Sequence, residues 1–455
     1  MGIFEKEAPV SVTRRNFLNH VAMLGPIAMY LWIDPEICSA DDDECTLPKP
    51  PNAQPLIPDE KRIIERRSAL EMAEAGMAAE LKAFRDAIGK LQNLPNADVN
   101  GWAKQIAQHC MNCAPSNGAN IHFDWAFLPW HRALLYFLER ILRRQSGSND
   151  LRLIYWDWEN TQSKQLPSIY TPAGQPLYWK NRNLSLNLTD DDVDVQPLLG
   201  VPNFPTFGGG PTQGRPTPAA FGGPHANVHN SFDPGDMADL QFSPRDPVFY
   251  AHHANIDRLW SSWVKAGHSN PDFGGSKAYF YDEDKKWRYI LFNDLRDEAK
   301  LGYKYSSYMQ PATTSRPMRS FAIAGRTEQL EMNTADLREL RSAPAGPRFL
   351  LIDSIHNLGT FDVAALRYGI FSAAPTPQGN VAEDRNYLGK VANVRAAGGI
   401  HAGPLTAALD VTGKLSQILA NEHGSIRLFV APLDAKGNIL APGIPVQADS
   451  INLVA

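Results

Sequence analysis

Apolar residues recur at helical spacing in two long stretches of the chain. In 59–91 the apolar positions are Ile63, Ile64, Leu70, Met77, Leu81, Phe84 and Ile88, set among Glu, Lys and Arg. In 130–144 a stripe is formed by Leu134, Phe137, Leu138, Ile141 and Leu142. Side chains three and four apart share one helix face, so both stretches predict amphipathic helices. Residues 247–265 predict another helix and 225–229 a short one, after a Pro/Gly/Asn-rich loop region that ends near 223. Past Asp272 the pattern changes to that of strands. Residues 278–284 and 287–291 predict a hairpin, and 349–352, 359–363 and 426–430 read as strands, with a hairpin loop at 431–438. The predicted architecture is a mainly α core, a helical bundle with extensive loops, followed by a mainly β, sandwich-like C-terminal domain. Its divisions are a leader at 1–40, the core at 41–309, a polar, Pro-punctuated linker at 310–345 and the β domain at 346–455.

Composition narrows the function. The 455 residues carry 44 Lys and Arg against 49 Asp and Glu, a net charge of -5, which leaves no basic field for nucleic acid. The apolar run 17–33 is broken by Asn19, His20 and Pro26 and is shorter than the ~20 residues of a spanning helix. Its flanks give it another meaning. Thr13-Arg14-Arg15-Asn16-Phe17-Leu18 is a twin-arginine pattern, and Cys38-Ser39-Ala40 offers a cleavage site. The expectation is export through the twin-arginine machinery to the periplasm or beyond. The mature chain would begin near Asp41 and keep no membrane segment.

Seven of the twelve histidines fall between 109 and 253. His225 and His229 are four apart, so a helix would present both on one face. The spacing suggests two triplets: His109, His122 and His131, then His225, His229 and one of the pair His252 and His253. Three imidazoles suit a transition metal that prefers nitrogen, and zinc and copper both qualify.

The residues around these histidines carry a family resemblance. His109-Cys110-Met111-Asn112-Cys113, His122 and Phe127-Leu128-Pro129-Trp130-His131-Arg132 resemble the first copper-binding half of plant-type polyphenol oxidases. Pro224-His225-Ala226-Asn227-Val228-His229 and the segment from Arg245 to Trp260 resemble the second half. Phe280-Tyr281-Asp282-Glu283 and the run Leu301 to Tyr305 resemble the end of their catalytic domain, and Thr360-Phe361-Asp362-Val363 the start of their C-terminal domain. The likeness is close over about 109–305 and loose elsewhere.

This resemblance to type-3 copper enzymes, the tyrosinase and catechol oxidase family, implies a four-helix bundle around two copper ions. His109, His122 and His131 would hold one copper; His225, His229 and His253 would hold the other, since the family uses the second histidine of such a pair. The implied activity is oxidation of o-diphenols to o-quinones with dioxygen reduced to water. Alternatives are a tyrosinase that also hydroxylates monophenols, an o-aminophenol oxidase, a dioxygen carrier on the same copper pair, and a two-zinc hydrolase. The plant pattern also implies a disulfide from Cys45 to Cys110 and a thioether from Cys113 to His122. It implies a C-terminal domain that shields the copper site, released by cutting the linker.

Three positions bear on monophenol chemistry. Family members that hydroxylate monophenols commonly place Asn where this chain has Ala226, and plant enzymes place Glu where it has Phe221; neither residue here can take a phenol proton. The bulky Phe gate over the second copper falls at Leu240. Asp257, Asn255 and Glu139 are candidates to hold the outer nitrogens of ligating imidazoles. Trp156, Trp158 and Trp260 read as core aromatics.

Overall fold

The helices that carry the histidines are held chiefly by the burial of their faces. The computed structural model describes residues 45–113, 121–211, 216–312, 318–326, 329–343, 346–361, 365–396, 399–400, 403–419 and 425–455. The expected leader and the pair Asp362 and Val363 lie outside these residues. Helix α1 (Ala78–Gln92) buries Leu81, Phe84, Ala87, Ile88 and Leu91 along one stripe. Helix α3 (Phe127–Ser146) ends at Gly147, whose φ of 72° is the left-handed turn that closes a helix. Between them lies α2 (Trp102–Cys113), which the hydrophobic pattern does not announce. Its buried positions include Gln105, Gln108, His109 and Cys110, polar or small residues that blur the apolar stripe. A short helix, α4 (Ala226–Ser231), follows a π-helical turn at Phe221–His225 that contains Pro224. Helix α5 (Val248–Lys265) is buried on all sides from Val248 to Trp263. It is the central helix of the core.

The helix expected to start at 59 starts later. Ile64–Arg66 is instead a short strand paired in parallel with Tyr303–Tyr305, and Ser68 then caps a single turn, Ala69–Met72, in a reciprocal box with Glu71. Ile63 and Leu70 are exposed, so they never belonged to a buried stripe. The expected hairpin forms from β1 (Lys277–Tyr281) and β2 (Trp287–Leu291). It covers α3, with Phe280 stacked on Phe137 at 4.9 Å and packed on Trp130 at 5.3 Å.

The C-terminal part is sheet-rich, and it begins earlier than expected. Strand β3 (Ser320–Arg326), strand β4 (Gln329–Glu331) and a helix at Thr334–Ser342 occupy most of the stretch assigned to a linker. The stretch is polar because much of it lies at the surface, yet Phe321, Ile323, Leu337 and Leu340 are buried. Further on come β5 (Phe349–Ile355), β6 (Arg367–Phe371), β7 (Tyr387–Ala392), β8 (Leu405–Asp410), β9 (Ser425–Ile426), β10 (Phe429–Leu433), β11 (Ile444–Pro445) and β12 (Ser450–Val454). Among the described residues, one sheet has the order β8-β5-β12-β3-β4-β9 and a second the order β7-β6-β10-β11. Where a strand is expected at 359–363, the described residues 359–361 are not a strand: Asn357–Thr360 is a 3-10 turn. The run at 426–430 is divided between β9 and β10. Core and sheets group as one compact unit, Cys38–Ala455. No helix among the described residues is long and apolar enough to cross a membrane.

Candidate metal centre

The bundle brings the histidines together in two groups. His109 comes from α2, His122 from the turn after it, and His131 from the first turns of α3; their donor atoms lie within 4.8 Å of one another. His225, His229, His252 and His253 form the second group under the same limit. The groups abut: His131 stacks on His253 with ring centres 4.4 Å apart, and His122 lies 6.1 Å from His225. All seven rings are buried. Phe249 packs between the groups, 5.0 Å from His109 and 4.2 Å from His253. Phe127 and Phe221 close another side, 4.9 and 5.0 Å from His225.

Main-chain carbonyls orient two of the rings. Phe127 faces His131 Nδ1 at 2.7 Å and Met237 faces His229 Nδ1 at 2.6 Å. A carbonyl only accepts, so Nδ1 carries the proton in both, and Nε2 is left with its lone pair. Burial pushes the His131 ring down to about 3 and the His229 ring to about 4. Burial, reinforced by neighbouring imidazoles, lowers His109, His225 and His253 further below the usual range. These five rings are therefore neutral at physiological pH, the state a metal requires.

Nε2 of His131 and His229, and both nitrogens of His225 and His253, are buried with no hydrogen-bond partner among the described residues. Orphaned buried nitrogens are costly in a protein unless something else binds them. Neither group includes a carboxylate. All-imidazole donors of this kind fit a pair of copper ions.

Comparison with known proteins agrees with the site. The profile of the common central domain of tyrosinase matches residues 99–197 and 172–266. This segment is a tyrosinase-family central domain. The family holds a pair of type-3 coppers, and the two histidine groups fall within its span. Among curated proteins, the latent form of the chloroplastic polyphenol oxidase of Prunus armeniaca is 31% identical over 287 residues, 52% of this chain and 48% of that protein. The chloroplastic catechol oxidase B of Solanum tuberosum is 28% identical over 288 residues, 53% of this chain and 47% of that protein. The chain thus spans about half the length of the curated relatives it matches. Among solved structures, latent apple tyrosinase superposes with a TM-score of 0.65 at 20% identity, covering 89% of this chain and 100% of that one. That likeness speaks for the fold.

Around the tyrosinase-type site, the other expected residues fall out as follows. Cys45 and Cys110 form a disulfide with Cα atoms 5.4 Å apart, which ties the N-terminal arm to α2. Cys113 is buried with Sγ 3.3 Å from His109 Nδ1 and 3.8 Å from His122 Nδ1. Phe221, Ala226 and Leu240 are all buried. The Leu240 main chain donates its N–H to Arg395 O at 2.9 Å.

The three residues expected to hold imidazoles are engaged elsewhere. Asp257 binds Arg132, Arg66, Tyr303 and Tyr305, and Glu139 binds Arg66, Arg152 and the Leu153 N–H. Asn255 binds Glu159 and Arg258. Their side chains satisfy buried arginines, which have a stronger claim on a carboxylate than a neutral imidazole has.

Two contacts escaped the sequence reading. Trp158 is a core aromatic whose Nε1 also donates to His252 Nδ1 at 3.2 Å. Asn230, next to His229, donates from Nδ2 to Asn393 O at 2.7 Å. No local sequence signal announces either, because each joins segments far apart in the chain.

Proposed function

We propose that this chain is an exported polyphenol oxidase that oxidises o-diphenols to o-quinones. Two diphenols would give four electrons and four protons to one dioxygen, yielding two quinones and two waters. His109, His122 and His131 would hold one copper and His225, His229 and His253 the other. The pair of coppers supplies the redox chemistry, passing electrons from phenol to dioxygen. The observation that carries this reading is the pair of abutting, all-imidazole groups whose buried nitrogens lack partners.

The chain's own residues favour diphenols over monophenols. A catechol reaches the metal with two acidic hydroxyls, whereas hydroxylation needs a protein group to take the proton of a simple phenol. Phe221 puts a ring against His225 and His122, and Ala226 adds only a methyl group. Asn227 and Asn230 spend their N–H groups on Asp192 O and Asn393 O. An amide oxygen accepts a hydrogen bond but does not take a proton at neutral pH. Phe127, Phe221 and Phe249 keep water from the rings.

The proposal includes the twin-arginine leader, a mature chain starting near Asp41, a Cys113–His122 thioether and a C-terminal part that shields the site. The contact of Cys113 with the His109 and His122 rings supports the thioether. One preparation tests the whole reading. Protein recovered from the exported fraction and loaded with copper should hold two coppers per chain and oxidise 4-methylcatechol. Peptide mapping of that sample should find an N-terminus near Asp41 and a Cys113–His122 linkage. Retention of zinc in place of copper, or reversible dioxygen uptake without catechol turnover, would refute the assignment.

A further inference from the structure

The second histidine group holds four imidazoles, one more than a copper of this kind needs. His252 differs from the others in what it faces. Trp158 Nε1 donates to its Nδ1 at 3.2 Å, and an indole N–H can only donate. His252 Nδ1 is therefore an acceptor, and in the neutral ring the proton sits on Nε2. In His131 and His229 the arrangement is reversed. There, carbonyls of Phe127 and Met237 hold the proton on Nδ1 and leave the Nε2 lone pair for a metal.

The Trp158 contact is itself held in place. Trp156 donates its N–H to Ala251 O at 3.0 Å, just before His252 on α5. Glu159, on the other side of Trp158, accepts from Asn255 at 2.9 Å and from Arg258 at 2.6 Å. The loop is thus tied to α5 on both sides of the indole, so Nε1 is aimed and buried. His252 Nε2 is buried and has no hydrogen-bond partner among the described residues. The ring centres of His252 and His225 are 5.4 Å apart.

We propose that His252 is a positioning residue, locked by Trp158 in the tautomer that carries its proton on Nε2 and so kept from acting as a metal donor. It braces the His225 segment against α5 and leaves His253, whose two nitrogens face no hydrogen-bonding group, as the donor from this helix. This deepens the copper-site reading, on which it rests. The indole makes the choice between two adjacent histidines by fixing where one of them carries its proton.

The tautomer can be read without any metal. In metal-free protein labelled with 15N-histidine, long-range proton–nitrogen correlation should show His252 with a bare Nδ1 and a protonated Nε2. His131 and His229 should show the opposite pattern. The His252 signal is assigned by its loss in His252→Gln. A protonated Nδ1 on His252 would overturn the proposal. In Trp158→Phe the His252 pattern should move toward the opposite tautomer; an unchanged pattern in a folded Trp158→Phe would also overturn it.

Copper binding provides the second readout. His252→Gln should still take two coppers per chain, with affinity at one site lowered about tenfold, as when a residue that orients a ligand is lost. His253→Gln should take only one. Loss of a copper in His252→Gln with two retained in His253→Gln would reverse the roles. Should the unaltered protein bind no copper at all, the metal reading fails, while the tautomer measurement still decides the role of His252.

Discussion

At the scale of single residues, the site is defined as much by what flanks the imidazoles as by the imidazoles themselves. Phe221 lies 5.0 Å from His225 and 5.9 Å from His122, ring centre to ring centre, so an apolar ring lies against an imidazole of each group. Ala226 is fully buried beside His225 and contributes nothing polar. An amide at this position would hold a water as the base, so Ala226→Asn should raise the initial rate on p-cresol relative to 4-methylcatechol by about tenfold, part of the ~100-fold or more that a positioned base supplies. Similar rates on the two substrates in the unaltered protein, with no lag, would show that another group already takes the proton. The buried Oδ1 atoms of Asn227 and Asn230, which have no partner among the described residues, are the acceptors that would hold a water as that base. The histidine triplets were legible because ligand chemistry demands particular side chains, whatever the local structure. The contact from Trp158 to His252 was not, since 94 residues separate its ends.

At the scale of elements, α3 carries His131 of one group and α5 carries His252 and His253 of the other, and the two helices are clamped by a buried charge network. Asp257 sits one turn after His253 and binds Arg132, the neighbour of His131. Arg66 joins Asp257 to Glu139 and lies 3.4 Å over the Tyr303 ring, while Arg132 lies 3.9 Å over Trp260. Burial would raise the Asp257 carboxyl, but Arg132 and Arg66, with hydrogen bonds from Tyr303 and Tyr305, hold it below the usual range. Its stabilising effect is therefore present above the ordinary Asp pKa and is lost as pH falls through the lowered value. Asp257→Asn should cost about 3 kcal/mol, because two buried guanidinium groups lose a counter-charge. Thermal or denaturant unfolding of metal-free protein measures that loss. If Asp257 instead acted on an imidazole directly, metal affinity would fall while metal-free stability held. The helices here were readable where one face is apolar, as in α3. They were unreadable where function dilutes the stripe, as in α2, or where an arginine is buried for its charge, as at Arg66.

At the scale of the whole molecule, the sheet-rich part touches the site through a few main-chain atoms. Arg395 O takes the Leu240 N–H, and Asn393 O takes the amide of Asn230, beside His229. A Cβ on Gly222 would lie 2.9 Å from Val391 Cγ2 and 3.1 Å from Thr406 O, so the sheets approach the turn before His225 as closely as glycine allows. Charge fixes the same face. Lys390 lies 2.7 Å from Asp192 and 3.2 Å from Asp191, and Arg395 lies 3.1 Å from the half-exposed Asp233. Each of these contacts joins a residue before about 311 to one after about 318, so a cut between those points leaves all of them in place. Proteolysis there should leave both fragments together on a sizing column, and on its own it should not raise catechol oxidation. The Lys390 contact is the part to break. Burial raises the Asp192 carboxyl, yet Lys390 and Thr189 outweigh that and hold it below its ordinary value. The docking energy from this pair is thus intact above the unperturbed Asp pKa of ~3.9 and lost only as pH falls through the lowered value. Acid activation should begin below about pH 4. At neutral pH, Lys390→Glu combined with the cut should separate the fragments and raise catechol oxidation roughly fivefold or more, the scale of a coupling of 1 kcal/mol upward. Fragments that separate with no gain in rate would show that the sheets brace the site without closing it.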